Sequence, residues 1–247
     1  MADTQESRVG GLRAVELYYR VIRDISNGAP AFLHTQTRLN APSLGVLYPE
    51  QFRDVAEITF QCVELFWLEL EQAMDAVLLF EKREIPFQWI SVYMPVRVLR
   101  EVGIEHELME RFAAMEVPTN RICFELSEKL LEETDGLAAG SIRNLRNRGF
   151  HFMLSGFGGN NCPMMRLAEF RVDYVMLSPE VAYFIDRSDR ADEAVKSIIG
   201  FVSDLEAEPI ADGIQNSHQA ETLHSFECRY CAGSLAGDYV QQQRVYR

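Results

Sequence analysis

The residues with the most chemical promise close one extended segment and open a loop. Phe150, Phe152 and Leu154 alternate with His151, Met153 and Ser155, the period of two that gives a pleated strand two distinct faces. Gly156, Gly158 and Gly159 follow at once and free the backbone for positive φ and close approach to a neighbour. In α/β proteins a strand running into such a loop is where reactive groups gather. Here the polar positions at its end are a serine and a glycine, so the frame for chemistry is present without the reactive groups. Other candidates are thinner. Cys228-Arg-Tyr-Cys231 has CxxC spacing but neither a second pair for zinc nor a preceding thioredoxin-like strand, and it reads as core or loop thiols. His151 reads as a packed strand residue, and His218 and His224 are too far apart for a metal pair on adjacent helical turns. Arg143, Arg146 and Arg148 read as a solvated helix end.

Positioning these residues requires a large scaffold. With 247 residues and 47% hydrophobic content the chain can bury one sizeable core, and α/β barrels reach this size as single domains. A formal net charge of −13 argues against non-specific binding to nucleic acid or anionic membrane, which reward basic surfaces. No run approaches the roughly 18 apolar residues of a membrane span, and Met1–Gly10 lacks the apolar core of a signal peptide. Five scattered cysteines fit a reduced, cytoplasmic protein.

In chain order, residues 1–11 are expected to be a disordered leader and 12–247 a single domain. Val15–Ile25 and Ala31–Leu39 flank the turn Ser26-Asn-Gly28 and form a hairpin. A helix starts at Tyr48-Pro49-Glu50, and a long one is expected over Phe60–Glu84, with Leu65, Leu68, Met74, Leu78 and Leu79 in its apolar stripe. Strands are expected at Phe87–Met94, Arg121–Leu126, Tyr174–Leu177, Glu208–Ala211 and Tyr230–Leu235. Helices fall at Val96–Met115 (broken near Gly103), Glu128–Glu133, Gly140–Arg148, Met164–Phe170, Ala191–Glu206 and Ser217–Phe226. Repeated strand–helix units without a linker imply a mostly parallel sheet closed into a barrel, with the opening hairpin placing one strand antiparallel.

The order and content of these segments resemble the EAL domain, the cyclic diguanylate phosphodiesterase fold, from Tyr18 to Tyr239. Tyr18-Tyr-Arg-Val-Ile-Arg-Asp-Ile with the Asn27-Gly28 turn is similar to the family's YYQPIVDL opening. Arg38, Ala41-Pro-Ser-Leu-Gly45, Tyr48-Pro-Glu-Gln-Phe52 and Ala56-Glu57 are similar to its next conserved run. Phe124-Glu-Leu-Ser-Glu128 resembles LEITE, Leu154-Ser-Gly-Phe-Gly158 resembles LDDFG, Val172–Ser178 resembles VDYIKID, and Ile210-Ala-Asp-Gly-Ile-Gln215 resembles IAEGVE. The resemblance implies an α/β fold, a modified TIM-like (β/α)8 barrel with an antiparallel first strand.

It also implies where the family's chemistry would sit, and those positions have changed. Hydrolysis of the phosphodiester needs two divalent cations, Mg²⁺ or Mn²⁺ in an active relative, gripped by acidic and amide oxygens. The name-giving glutamate corresponds to His34, the ligand asparagine to Tyr93, and the DDFG aspartates to Ser155 and Gly156. The KID lysine is Met176, and the two glutamates of AEGVE are Asp212 and Gln215; Glu125 and Glu128 survive. Only Glu125, Asp212 and His34 remain as metal candidates, a set suited to one transition-metal ion and not to an oxygen-rich pair. No catalytic residue and no cofactor is therefore expected. Arg38 falls where the family's arginine contacts a ligand phosphate, Arg20 replaces a glutamine that faces the ligand, and Glu128 completes the ligand-binding candidates. Tyr93 and Met176 would narrow and dry the mouth.

The expected function is a catalytically inactive EAL-like domain acting as a protein-interaction or regulatory module in bacterial signalling. Its partner would be another protein, with a homodimer through helix faces beside the loop after Gly156 also expected, and neither membrane nor nucleic acid bound directly. A receptor that binds cyclic diguanylate without hydrolysis is the alternative, and residual metal-dependent phosphodiesterase activity a remote one.

Overall fold

The computed structural model describes residues 8–9, 12–134, 136–159 and 162–245. Eight strands close into a barrel: β1 (Val15–Asp24), β2 (Pro30–Ala41), β3 (Ile90–Tyr93), β4 (Ile122–Ser127), β5 (His151–Phe157), β6 (Tyr174–Leu177), β7 (Glu208–Ala211) and β8 (Tyr230–Cys231). β1 pairs antiparallel with both β2 and β8, and every other neighbouring pair in the ring is parallel. The turn that reverses the chain has Gly28 at φ +69, with the Asn27 side chain accepting from the Ala29 amide. Most of the expected leader lies outside the described residues; Arg8–Val9 pairs antiparallel with Leu12–Arg13.

The parallel strands are buried on both faces, which is why they read as nearly continuous apolar runs. Their outward residues, such as Phe124, Phe152 and Leu154, join the helices in one large core. Their inward residues form a second cluster that plugs the barrel: Ile22, Phe32, Trp89, Cys123, Met153, Met176, Ile210 and Tyr230. Phe32 stacks on Trp89 with ring centroids 4.1 Å apart. Met176 belongs to this plug and not to the mouth, a correction to its expected place. Cys228 and Cys231 are buried free thiols.

The helical layer departs from the sequence pattern where the backbone turns. The long helix does not begin at Phe60. The helix α1 (Pro49–Ile58) ends first, Thr59 Oγ1 donates to the Val55 carbonyl at 2.8 Å, and Phe60 takes φ +64 before α2 (Cys62–Lys82) starts. The buried stripe of α2 runs through Phe66, Leu70, Ala73, Met74, Val77 and Phe80, while Leu68 and Leu78 face outward. The break at Gly103 is present, with that residue at φ +86 between α3 (Val96–Leu99) and α4 (Ile104–Met115). Glu128–Glu132 and Met164–Glu169 are 3-10 turns. The remaining helices are α5 (Leu137–Asn147), α6 (Pro179–Ala182), α7 (Asp189–Asp204) and α8 (Ser217–Ser225). Among the described residues no helix is long and apolar enough to cross a membrane.

Candidate ligand site at the barrel mouth

Above the apolar plug the inward positions turn polar, one step along each strand. Arg20 on β1 lies opposite His34 on β2, Ser91 and Tyr93 follow on β3, Glu125 on β4 and Ser155 on β5, and Asp212 follows directly after β7. They surround an open cavity of about 560 Å³, lined among others by Arg20, His34, Tyr93, Glu125, Glu128 and Asp212. Six of the positions singled out from sequence thus meet at one cavity.

The cavity floor is neutralised from within. His34 Nε2 sits 2.9 Å from Glu125 Oε2, and His34 Nδ1 is hydrogen-bonded to the Tyr239 hydroxyl. Arg20 meets Asp212 Oδ1 at 2.8 Å and lies over the Tyr239 ring, 4.6 Å from its centre. Burial pushes the Glu125 carboxyl up, but the charge on His34, hydrogen bonds from His34 and Ser155, and the charge of Arg53 reverse this, so the net shift is down. Burial also opposes the charge on Arg20, yet Tyr239 and Asp212 outweigh it and hold the guanidinium proton more tightly.

The rim is equally committed. Lys129 Nζ bridges Asp54 Oδ1 (2.6 Å) and Glu57 Oε2 (2.9 Å), and the Tyr93 hydroxyl donates to Glu57 Oε1 at 3.0 Å. Burial, opposed by Arg53 and helped by Glu57, pushes the Tyr93 phenol up to about 12, so it stays a donor at neutral pH. The guanidinium of Arg53 stacks 3.7 Å over the Tyr93 ring and reaches Glu69 Oε1 at 3.4 Å. Glu69, which burial pushes up, also accepts from Thr37 Oγ1 at 2.6 Å. Gly156 has φ +78, and a Cβ there would sit 2.3 Å from Glu128 Oε2.

Three expected positions stand elsewhere. Arg38 does not line the cavity; its guanidinium lies 3.6 Å over Tyr18 and 5.2 Å from the Tyr48 ring centre. Met176 is in the plug, and Gln215 is exposed at the start of α8. The residual metal set is not assembled either. Both His34 nitrogens have partners, Asp212 faces Arg20, and the described residues hold no group of three or more His, Cys, Asp or Glu placed to bind a metal ion. The residues present do not fit a pair of divalent cations.

Tyr239 was not legible in the sequence. It follows Gly237-Asp238 in a segment without periodicity and reaches the site because Val240–Gln241 pairs with Tyr19–Tyr18 of β1. Glu69 did leave a signal, an acid on the apolar stripe of a core helix, four positions before Ala73. Tyr239→Phe keeps the ring beneath Arg20 and removes the hydroxyl; it is expected to cost about 1 kcal/mol in urea unfolding.

Comparison with known proteins agrees with this architecture. The EAL domain model matches residues 6–238. The chain is 22% identical over 233 residues to the cyclic di-GMP phosphodiesterase RocR of Pseudomonas aeruginosa, covering 92% of this chain and 58% of that protein. It is 23% identical over 222 residues to the cyclic di-GMP phosphodiesterase PdeB of Shewanella oneidensis, covering 90% of this chain and 26% of that protein. The chain therefore spans only part of the length of these relatives. Among solved structures, the PaMucR phosphodiesterase in complex with c-di-GMP superposes with TM-score 0.82 at 17% identity, covering 94% of each chain. The FimX EAL domain of Pseudomonas aeruginosa bound to c-di-GMP superposes with TM-score 0.78 at 16% identity, covering 95% of this chain and 93% of that one. At such identities the superpositions show the fold alone, whereas the matched model covers nearly the whole chain, and on that ground this protein belongs to the EAL domain family.

Proposed function

We propose that this EAL domain does not hydrolyse cyclic diguanylate and acts as a cytoplasmic protein-interaction or regulatory module in signalling by that nucleotide. The observation that carries the reading is the filling of the mouth. Where two divalent cations would need oxygen ligands, an imidazole is paired with Glu125, a guanidinium with Asp212, and a tyrosine joins them. Each cation there already faces a carboxylate of the protein itself, which weakens its attraction for a dianionic nucleotide. No metal cofactor is required for this role. The size of the cavity, about 560 Å³, supports a second reading as a receptor that binds the nucleotide without cleaving it.

Thermal shift with cyclic diguanylate, with and without Mg²⁺ or Mn²⁺, separates the readings. No stabilisation under either condition is expected. Stabilisation by nucleotide alone would favour the receptor, and stabilisation that needs the metal would contradict both. Self-association belongs to the same proposal. A Cβ on Gly158 would meet Val181 of α6 at 2.8 Å, and the chain leaves α6 through the half-exposed Tyr183 and Phe184, a face suited to pairing. Light scattering across concentration is expected to show a dimer, and a constant monomer mass would remove that element.

A further inference from the structure

The mouth has an apolar shoulder. Leu44, Val46 and Tyr48 lie on the hairpin that runs into α1, and Val55, Ile58 and Phe60 continue on that helix and just past its end. Ile58 is 77% exposed and Leu44 71%. Val55 and Ile58 are three residues apart and share a helix face. The same helix turns Glu50, Arg53 and Asp54 toward the cavity. One element therefore presents an apolar strip and, beside it, a charged rim.

The charge on that rim is unbalanced. His34, Arg20 and Lys129 are occupied by Glu125, Asp212 and the Asp54–Glu57 pair, and Arg53 reaches back to buried Glu69. Glu50 and Glu128, both exposed and both lining the cavity, have no ion-pair partner among the described residues. Inside the cavity an anionic ligand meets only basic groups that already face a carboxylate, while a cationic one meets the open carboxylates of Glu50 and Glu128; Arg38 over Tyr48 and Arg97 over Phe60 flank the apolar strip. A second copy of this chain, itself carrying −13, is a poor occupant for the same reason.

We propose that the α1–hairpin shoulder docks a basic amphipathic helix of a partner protein, with apolar side chains on Val55 and Ile58 and an arginine or lysine turned into the mouth toward Glu50 and Glu128. This deepens the non-catalytic reading by naming the chemistry of its partner. The test uses a fluorescent 18-residue peptide of leucine and arginine at helical spacing and the same peptide with glutamate for arginine. The arginine peptide is expected to bind and the glutamate peptide not. Val55→Ser with Ile58→Ser, and separately Glu50→Gln with Glu128→Gln, are each expected to weaken binding at least tenfold without altering the circular dichroism. Glu110→Gln with Glu206→Gln, the same charge change on exposed sites elsewhere, is expected to leave it within twofold.

Equal losses from both charge-neutral pairs would overturn the proposal in favour of the overall acidic field. Unchanged binding in the serine pair would overturn the apolar contact. A fall in oligomer mass in the serine pair would assign the shoulder to a second copy instead. Turnover of cyclic diguanylate by the intact protein would refute the non-catalytic reading whatever the peptide does, and a peptide that fails to bind leaves that reading intact.

Discussion

His34→Ala is expected to lower the unfolding free energy by about 1.5–3 kcal/mol at pH 7, because it strips a buried carboxylate of its facing imidazole. The side chains of His34 and Glu125 are 10% and 12% exposed, so water cannot take over the role of the imidazole. The pH dependence of this loss distinguishes charge from packing. In the native protein the Glu125 pKa is depressed, so its ionised form contributes stability above the unfolded carboxylate range near about 4.3, and that contribution disappears as pH falls through the depressed value. Without His34 only the Ser155 hydrogen bond and the Arg53 charge still oppose burial, so the Glu125 pKa is expected to rise and the ionised form to become a liability that protonation relieves. The deficit of the variant is therefore expected to shrink between pH 7 and pH 5 in paired urea titrations. A deficit that stays constant over that window would mean that the ring contributes volume and not charge.

Ser155→Asp combined with Gly156→Asp is expected to yield no turnover of cyclic diguanylate, although it restores the family's aspartate pair. His34 and Tyr93 still stand where hard oxygen ligands are needed, and Tyr239 still occupies the floor. The double variant is also expected to be less stable by about 1–3 kcal/mol, since position 156 is left-handed and an L side chain there is strained. The Glu128 side chain would have to swing away from the new Cβ and would then share the mouth with an added like charge. Ser155→Asp meanwhile replaces a donor to Glu125 with a second carboxylate. Measurable hydrolysis by this variant would show that His34 and Tyr93 are weaker obstacles than the geometry implies.

The alternation of strands and helices was written plainly in the chain. Tyr174–Leu177 and Glu208–Ala211 occupy the expected residues because a strand buried on both faces leaves a dense apolar run. Phe60 misled because its apolar side chain continues the helical spacing, while its left-handed backbone is set by the junction of two helices. The segments after Glu128 and Met164 are too short for a helical stripe to form, and they settle as 3-10 turns. At the site, residues carried on strands were legible because position on a strand fixes which side of the barrel a side chain faces. Arg38 was expected to face a ligand but found a stack between Tyr18 and Tyr48. Tyr239 crosses 205 positions to reach His34, and no local pattern encodes such a contact.

The most direct test is chromatographic: the intact protein is incubated with cyclic diguanylate and Mg²⁺ or Mn²⁺, and the linear dinucleotide is quantified. Product no higher than in a protein-free blank is the expected result. Metal-dependent product that Glu125→Gln abolishes would contradict the claim that this mouth has exchanged its cation sites for internal ion pairs.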